Sequence, residues 1–172
     1  RVSYLFAQGE PLPSGSAQLD YFLREQPSAE KQISSSVIEA YAQLDDYDVY
    51  QSIKAWQNAK DPILSDLSHR FLNRNLFRAS FFDKQPGKST HQKIHELTRN
   101  YLDKNGLPND DESIKYYIRT EYSTSEAYKY KNDSIWILDN EVAIEFSKAA
   151  DTKSIIALTE PVKKYFIIHP KY

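Results

Sequence analysis

The apolar residues of this chain change their spacing near Phe77, and that change limits the folds open to it. Before it, Val49, Ile53 and Trp56, then Leu64, Leu67 and Phe71, recur every three or four positions, the period of a helix buried on one face. After it, Ile114, Tyr116 and Ile118 alternate with Lys115, Tyr117 and Arg119, the period of a strand. A helical section followed by a section containing a sheet is the α+β class.

Local signals place the elements. The loop Gly9–Ser16 precedes a short helix carrying Leu19, Tyr21, Phe22 and Leu23, and Val37, Ile38, Tyr41 and Leu44 lie on another. Asp45 and Asp46 cap the next helix, with Asp48 at the positive end of its dipole. Asp61-Pro62 opens a further helix, which the pattern carries to about Phe77. Ala79 to Phe82 reads as a strand closed by Lys84-Gln85-Pro86-Gly87. Ser89 or Thr90 caps a helix carrying Ile94, Leu97, Tyr101 and Leu102 that stops near Asn105-Gly106. Ile114 to Tyr122 reads as a strand, and Ser134 to Leu138 with Val142 to Phe146 as a hairpin around Asp139-Asn140. A short helix at Ser154 to Leu158 and a strand at Tyr165 to Ile168 complete the order. From Phe77 onward that order is βαββαβ, the ferredoxin-like arrangement, with an antiparallel sheet of at least four strands and two helices on one face. The expected organisation is an N-terminal helical lobe, residues 1–78, followed by an α+β lobe, residues 79–172.

Composition removes several function classes. A net charge of −2 offers no general positive field for nucleic acid, which makes nucleic acid an unlikely partner. With no cysteine there is no disulfide, thiolate nucleophile or cysteine zinc site. No run approaches the roughly 18 apolar residues of a membrane span, and no leader pattern opens the chain, so the expected setting is soluble and cytoplasmic, with no membrane partner. The start at Arg1, without a methionine, suggests a piece of a longer protein.

Several constellations invite a chemical reading. Arg70, Arg74 and Arg78 stand at i, i+4 and i+8, so one helix would align three guanidinium groups able to grip phosphate oxygens. The plain alternative is arginines bracing their own helix through Asp66 or other carboxylates. His91 and His95 share a helix face, but no third metal ligand accompanies them. Asp45, Asp46 and Asp48 are explained by capping. Tyr116, Tyr117, Tyr122, Tyr128 and Tyr130 interleave with Lys115, Arg119, Lys129 and Lys131, as in base-stacking sheets, yet Glu121 and Glu126 balance the charge. Sheet packing or a subunit interface accounts for them as well. The 4 glycines are scattered and form no phosphate-cradling loop.

Four stretches resemble HD-domain phosphohydrolases, the bacterial relatives of deoxynucleoside triphosphate triphosphohydrolases. They are Leu44-Asp45-Asp46-Tyr47-Asp48, Ile53-Lys54-Ala55-Trp56, Asp61-Pro62-Ile63-Leu64 and Leu72-Asn73-Arg74-Asn75-Leu76-Phe77-Arg78. The ending Leu158 to Phe166 is similar to the C-terminal end of one bacterial branch. The metal centre of that family uses a His, a His-Asp pair and a later Asp, all upstream of the matched region. Here the histidines are followed by Arg70, Gln92, Glu96 and Pro170, so no catalytic residue and no metal ligand carries over.

The resemblance therefore implies the non-catalytic C-terminal region of a metal-dependent phosphohydrolase acting on nucleotides. It implies no cofactor in this chain, a divalent metal in the parent enzyme, an upstream HD catalytic domain as partner, and a homo-oligomer. In the vertebrate triphosphohydrolase of the superfamily, the Arg-Asn-Leu-aromatic-basic segment supplies two basic side chains to an allosteric nucleotide site between subunits. Arg74 and Arg78 match those positions, with Arg70 one turn before them. Two rival readings stand beside this one: an independent nucleic-acid- or nucleotide-binding module without catalysis, and an enzyme with its own site. The second lacks any convergent His/Asp/Glu or Ser/His set in the sequence.

Overall fold

Side chains written into the sequence start most of the helices. In a computed structural model describing residues 1–26, 34–125, 135–146 and 162–172, Ser16 caps α2 (Ala17–Glu25) by accepting the Leu19 N–H at 3.1 Å. Ser34 likewise caps α3 (Ser35–Ala42). At α4 (Asp46–Trp56), Asp45 accepts the N–H groups of Tyr47 and Asp48 while the Asp48 carboxylate accepts the Asp45 N–H at 2.8 Å. This reciprocal box satisfies donors that a helix start otherwise leaves open, each cap contributing about 1 kcal/mol. Asp61 caps α5 (Pro62–Leu72) through the Leu64 N–H at 2.8 Å, with proline in the first position. One helix that periodicity did not indicate, α1 (Val2–Ala7), is fixed by burial of Leu5 and Phe6.

The structure corrects the pattern reading in four places. α5 ends at Leu72 instead of continuing to Phe77, because its last carbonyls are closed off by the turn that follows. α6 (Lys88–Lys104) starts after Gly87, so Ser89 and Thr90 lie inside the helix and cap nothing. The segment expected to be a strand from Ile114 begins instead as a single helical turn, α7 (Asp111–Ile114). Asp110 caps it through the N–H groups of Glu112 and Ser113, and that cap overrides the alternation. Ile114 and Tyr117, three apart, are then the buried pair, and β2 (Arg119–Ser125) starts only after the turn.

The fourth correction concerns the sheet. Among the described residues, β1 (Arg78–Phe82), β2 and β5 (Val162–His169) form a three-stranded sheet in the order β1-β5-β2, both pairings antiparallel. β3 (Trp136–Asp139) and β4 (Val142–Glu145) form a separate hairpin. The expected single sheet of four strands is not what these residues build. The final strand is central because Tyr165-Phe166-Ile167-Ile168 is apolar on both faces, as a strand covered on two sides requires. In the hairpin, Asn140 and Glu141 both take positive φ, 46° and 66°, which matches the two-residue turn favoured between twisted strands. The helix expected at Ser154 to Leu158 lies outside the described residues.

Two apolar cores hold these elements. Leu5, Trp56 and Leu64 centre one of them, between α1, α2, α4 and α5. Ile63, Leu102, Ile114 and Tyr117 centre the other, with Leu67, Phe77 and Tyr101 against them. The second core draws on residues from both sides of position 78.

Candidate functional site

The three arginines do not form a helical stripe. Arg70 lies in the last turn of α5, Arg74 in the turn that ends it, and Arg78 at the first position of β1. The turn is built by two backbone bonds: the Asn75 N–H donates to the Arg70 carbonyl at 2.9 Å, and the Arg74 N–H to the Phe71 carbonyl at 3.3 Å. This is the Schellman closure of a helix, and its central residue must adopt the left-handed conformation that glycine takes most easily. Arg74 occupies that place, with φ 54°. The Asn73 amide adds a bond to the His69 carbonyl at 2.9 Å.

Arg70 is committed to the fold. Its Nε donates to Asp66 at 2.6 Å and its guanidinium donates to the Tyr101 hydroxyl at 3.0 Å. The rings of Phe77, Tyr101 and Tyr117 surround it, with centroids at 5.7, 5.5 and 6.0 Å. Asp66 also accepts the Tyr117 hydroxyl proton at 2.9 Å. Burial and the adjoining Asp66 carboxylate push the Tyr117 phenol well above its ordinary range. Burial lowers the basicity of Arg70, but the bonds to Asp66 and Tyr101 outweigh it and hold the group charged. The Asp66 pairing is the bracing role that the spacing alone left open for this arginine.

Arg74 and Arg78 differ from it. Both are exposed, and neither guanidinium makes an ion pair among the described residues. Their Cα atoms lie at most about 14 Å apart, because four residues of chain reach no further. Two free cations are thus held within reach of one extended anion. Their chain neighbours Asn75 and Phe77 help to wall a hollow of about 150 Å³, together with Leu67, Arg70, Phe71 and Leu76.

The remaining candidates resolve into structural parts or stay apart. Asp45 and Asp48 form the capping box, and Asp46 sits in the first turn of α4. His91 and His95 lie on α6, and among the described residues no three His, Asp or Glu side chains converge as a metal site. Lys115 pairs with Glu112, and Arg119 with Glu121 at 2.6 Å. Tyr122 faces Tyr165 across the sheet, with Lys163 at 3.8 Å over the Tyr122 ring. Tyr128, Lys129, Tyr130 and Lys131 lie outside the described residues.

One pairing escaped the sequence altogether. Ser80 and His169 approach to 2.9 Å, and His169 Nδ1 stands 2.7 Å from the Pro170 carbonyl. A carbonyl only accepts, so Nδ1 carries a proton, and in the neutral ring Nε2 accepts from the Ser80 hydroxyl. The Tyr172 ring stacks on this imidazole, and its hydroxyl bonds Thr98 at 2.8 Å, tying β5 to α6.

With this geometry in place, the chain can be set beside known proteins. No family model matches the sequence. Sixty residues are 35% identical to the uncharacterized protein YwfO of Bacillus subtilis, a stretch covering 35% of this chain and 14% of that protein. The whole fold superposes on the crystal structure of a Bacteroides thetaiotaomicron protein with TM-score 0.81 and 28% identity, over 99% of this chain and 41% of the other. That structural neighbour is a phosphohydrolase. The chain thus spans less than half the length of each of these two proteins.

Proposed function

We propose that this chain is the accessory C-terminal part of a longer, metal-dependent HD-type phosphohydrolase directed at nucleotides. In this reading it contributes to a homo-oligomer, and Arg74 and Arg78 bind the phosphates of a regulatory nucleoside triphosphate. The phosphohydrolase neighbour supports the setting. The observation that carries the site is Arg74 itself. A guanidinium with no ion pair among the described residues stands at a left-handed position where glycine would be more stable. Strain kept at an exposed residue points to a use for its side chain. Arg70, locked to Asp66 and Tyr101, positions the turn from behind and leaves the phosphates to Arg74 and Arg78.

In this reading the divalent ion that such a parent enzyme needs would be held by the upstream HD catalytic domain. The test is made on the full-length protein by titrating activity with deoxynucleoside triphosphates. Charge-assisted bonds to phosphate contribute roughly 1.5–3 kcal/mol each. Arg74→Gly or Arg78→Ala should therefore raise the activation midpoint about tenfold or more, and move it further than the plateau. Unchanged midpoints in both variants would reject the site.

A further inference from the structure

We infer that the hollow beside Arg74 is the seat of the nucleobase of that triphosphate. This rests on the nucleotide reading above and adds to it the part of the ligand that is not phosphate. Phe71 and Leu76 flank Arg74 in the sequence, and both line the hollow. Both are large, apolar and open to solvent, at 46% and 59% exposure. The Tyr50 ring, also exposed, extends the surface 5.8 Å from Phe71.

Size and chemistry both narrow the occupant. At about 150 Å³ the hollow is well below the ~300 Å³ where sites for drug-sized molecules begin, so it takes one ring system and not a whole nucleotide. An aromatic wall offers a π-face to any base. The Asn75 side chain bonds no described residue, and its amide carries both a donor and an acceptor, the complement of a base edge. A flat ring in the hollow with an anionic tail across Arg74 and Arg78 satisfies every feature of the segment at once. A purely apolar partner would leave both guanidinium groups without a counter-charge.

Calorimetric titration of the full-length protein with each of the four dNTPs, and separately with inorganic tripolyphosphate, tests this. At least one dNTP should bind about tenfold tighter than tripolyphosphate, the stacking contribution expected of one base on one aromatic ring. Phe71→Ala should remove that advantage while leaving tripolyphosphate affinity within about twofold, and Phe71→Trp should restore it. Leu76→Ala should act in the same direction as Phe71→Ala and guards against a local effect of one variant. If neither variant alters dNTP affinity while Arg74→Gly weakens tripolyphosphate, the hollow is not the base site and the phosphate site stands. If they leave dNTP affinity alone but change the particle mass by light scattering, the hollow is a protein contact and this inference is wrong. If neither dNTP nor tripolyphosphate binds the wild-type protein, the nucleotide reading fails and takes the hollow's role with it.

Discussion

Replacing Arg74 with glycine should make the protein more stable, although it deletes a charged side chain. The left-handed conformation costs a residue with a Cβ roughly 1–2 kcal/mol, and Arg74 holds φ at 54°. Glycine removes that cost but gives back about 0.5–1 kcal/mol through the greater freedom of its unfolded chain. Because Arg74 is exposed and forms no ion pair among the described residues, none of their ion pairs is lost with it. The net gain is about 0.5–1 kcal/mol, a rise in melting temperature of about 2 °C for a chain of this length. The matching control is Arg74→Ala, which removes the same charge yet keeps the Cβ and therefore the strain. Thermal unfolding of both variants by circular dichroism, at low and high salt, separates conformation from charge. If Arg74→Gly melts at or below Arg74→Ala, the left-handed closure of α5 is not what holds this turn. The decisive pattern is opposite signs in one molecule: stability rising in Arg74→Gly while phosphate affinity falls.

Arg70→Ala should lower stability by about 2–3 kcal/mol in urea unfolding, because it takes the counter-charge from the part-buried Asp66, leaving it the Tyr117 hydroxyl, and empties a space between three rings; a loss below about 0.5 kcal/mol would show the network to be incidental. Gly15→Ala should cost about 1–3 kcal/mol, since a Cβ there would stand 2.4 Å from the Ser52 backbone on α4, and an unchanged melting temperature would contradict that close approach. Asp48 is held below the usual carboxylate range by the Asp45 N–H it accepts. Its folded form thus resists protonation more than its unfolded form, so its stabilisation is present above about pH 4 and is lost as pH falls further. Melting curves between pH 6 and pH 3 should fall less steeply for Asp48→Asn than for the wild type, and identical slopes would contradict this.

Much of the helical section was legible because its caps are local. Asp45, Asp48 and Asp61 each act within three residues of themselves, and a sequence displays that distance directly. The end of α5 was not legible, since glycine marks such an end and here an arginine carries the left-handed bend. That error in turn created the apparent stripe of three arginines. Asp66 could be seen as the partner of Arg70 from its i, i+4 spacing, but Tyr101 and Tyr117 could not, because they arrive from other elements. Alternation over Ile114–Ile118 was equally true of a helical turn, and only the Asp110 cap distinguishes the two. Strand pairing was the least accessible, because nothing near Ser80 announces His169.

The central place of β5 sets a timetable for making this protein. Ser80 and His169, joined across the sheet, are 89 residues apart. At the usual 5–20 residues per second of synthesis, β1 emerges roughly 5–20 seconds before the strand that pairs with it. Among the described residues β1 and β2 each bond only to β5, so until then both stay without a ladder while the helical cores form around Trp56 and Tyr117. Two waiting strands are open to association with other chains. A ribosome stalled shortly before Val162 would therefore release a product with formed helices and two unpaired strands, prone to aggregate.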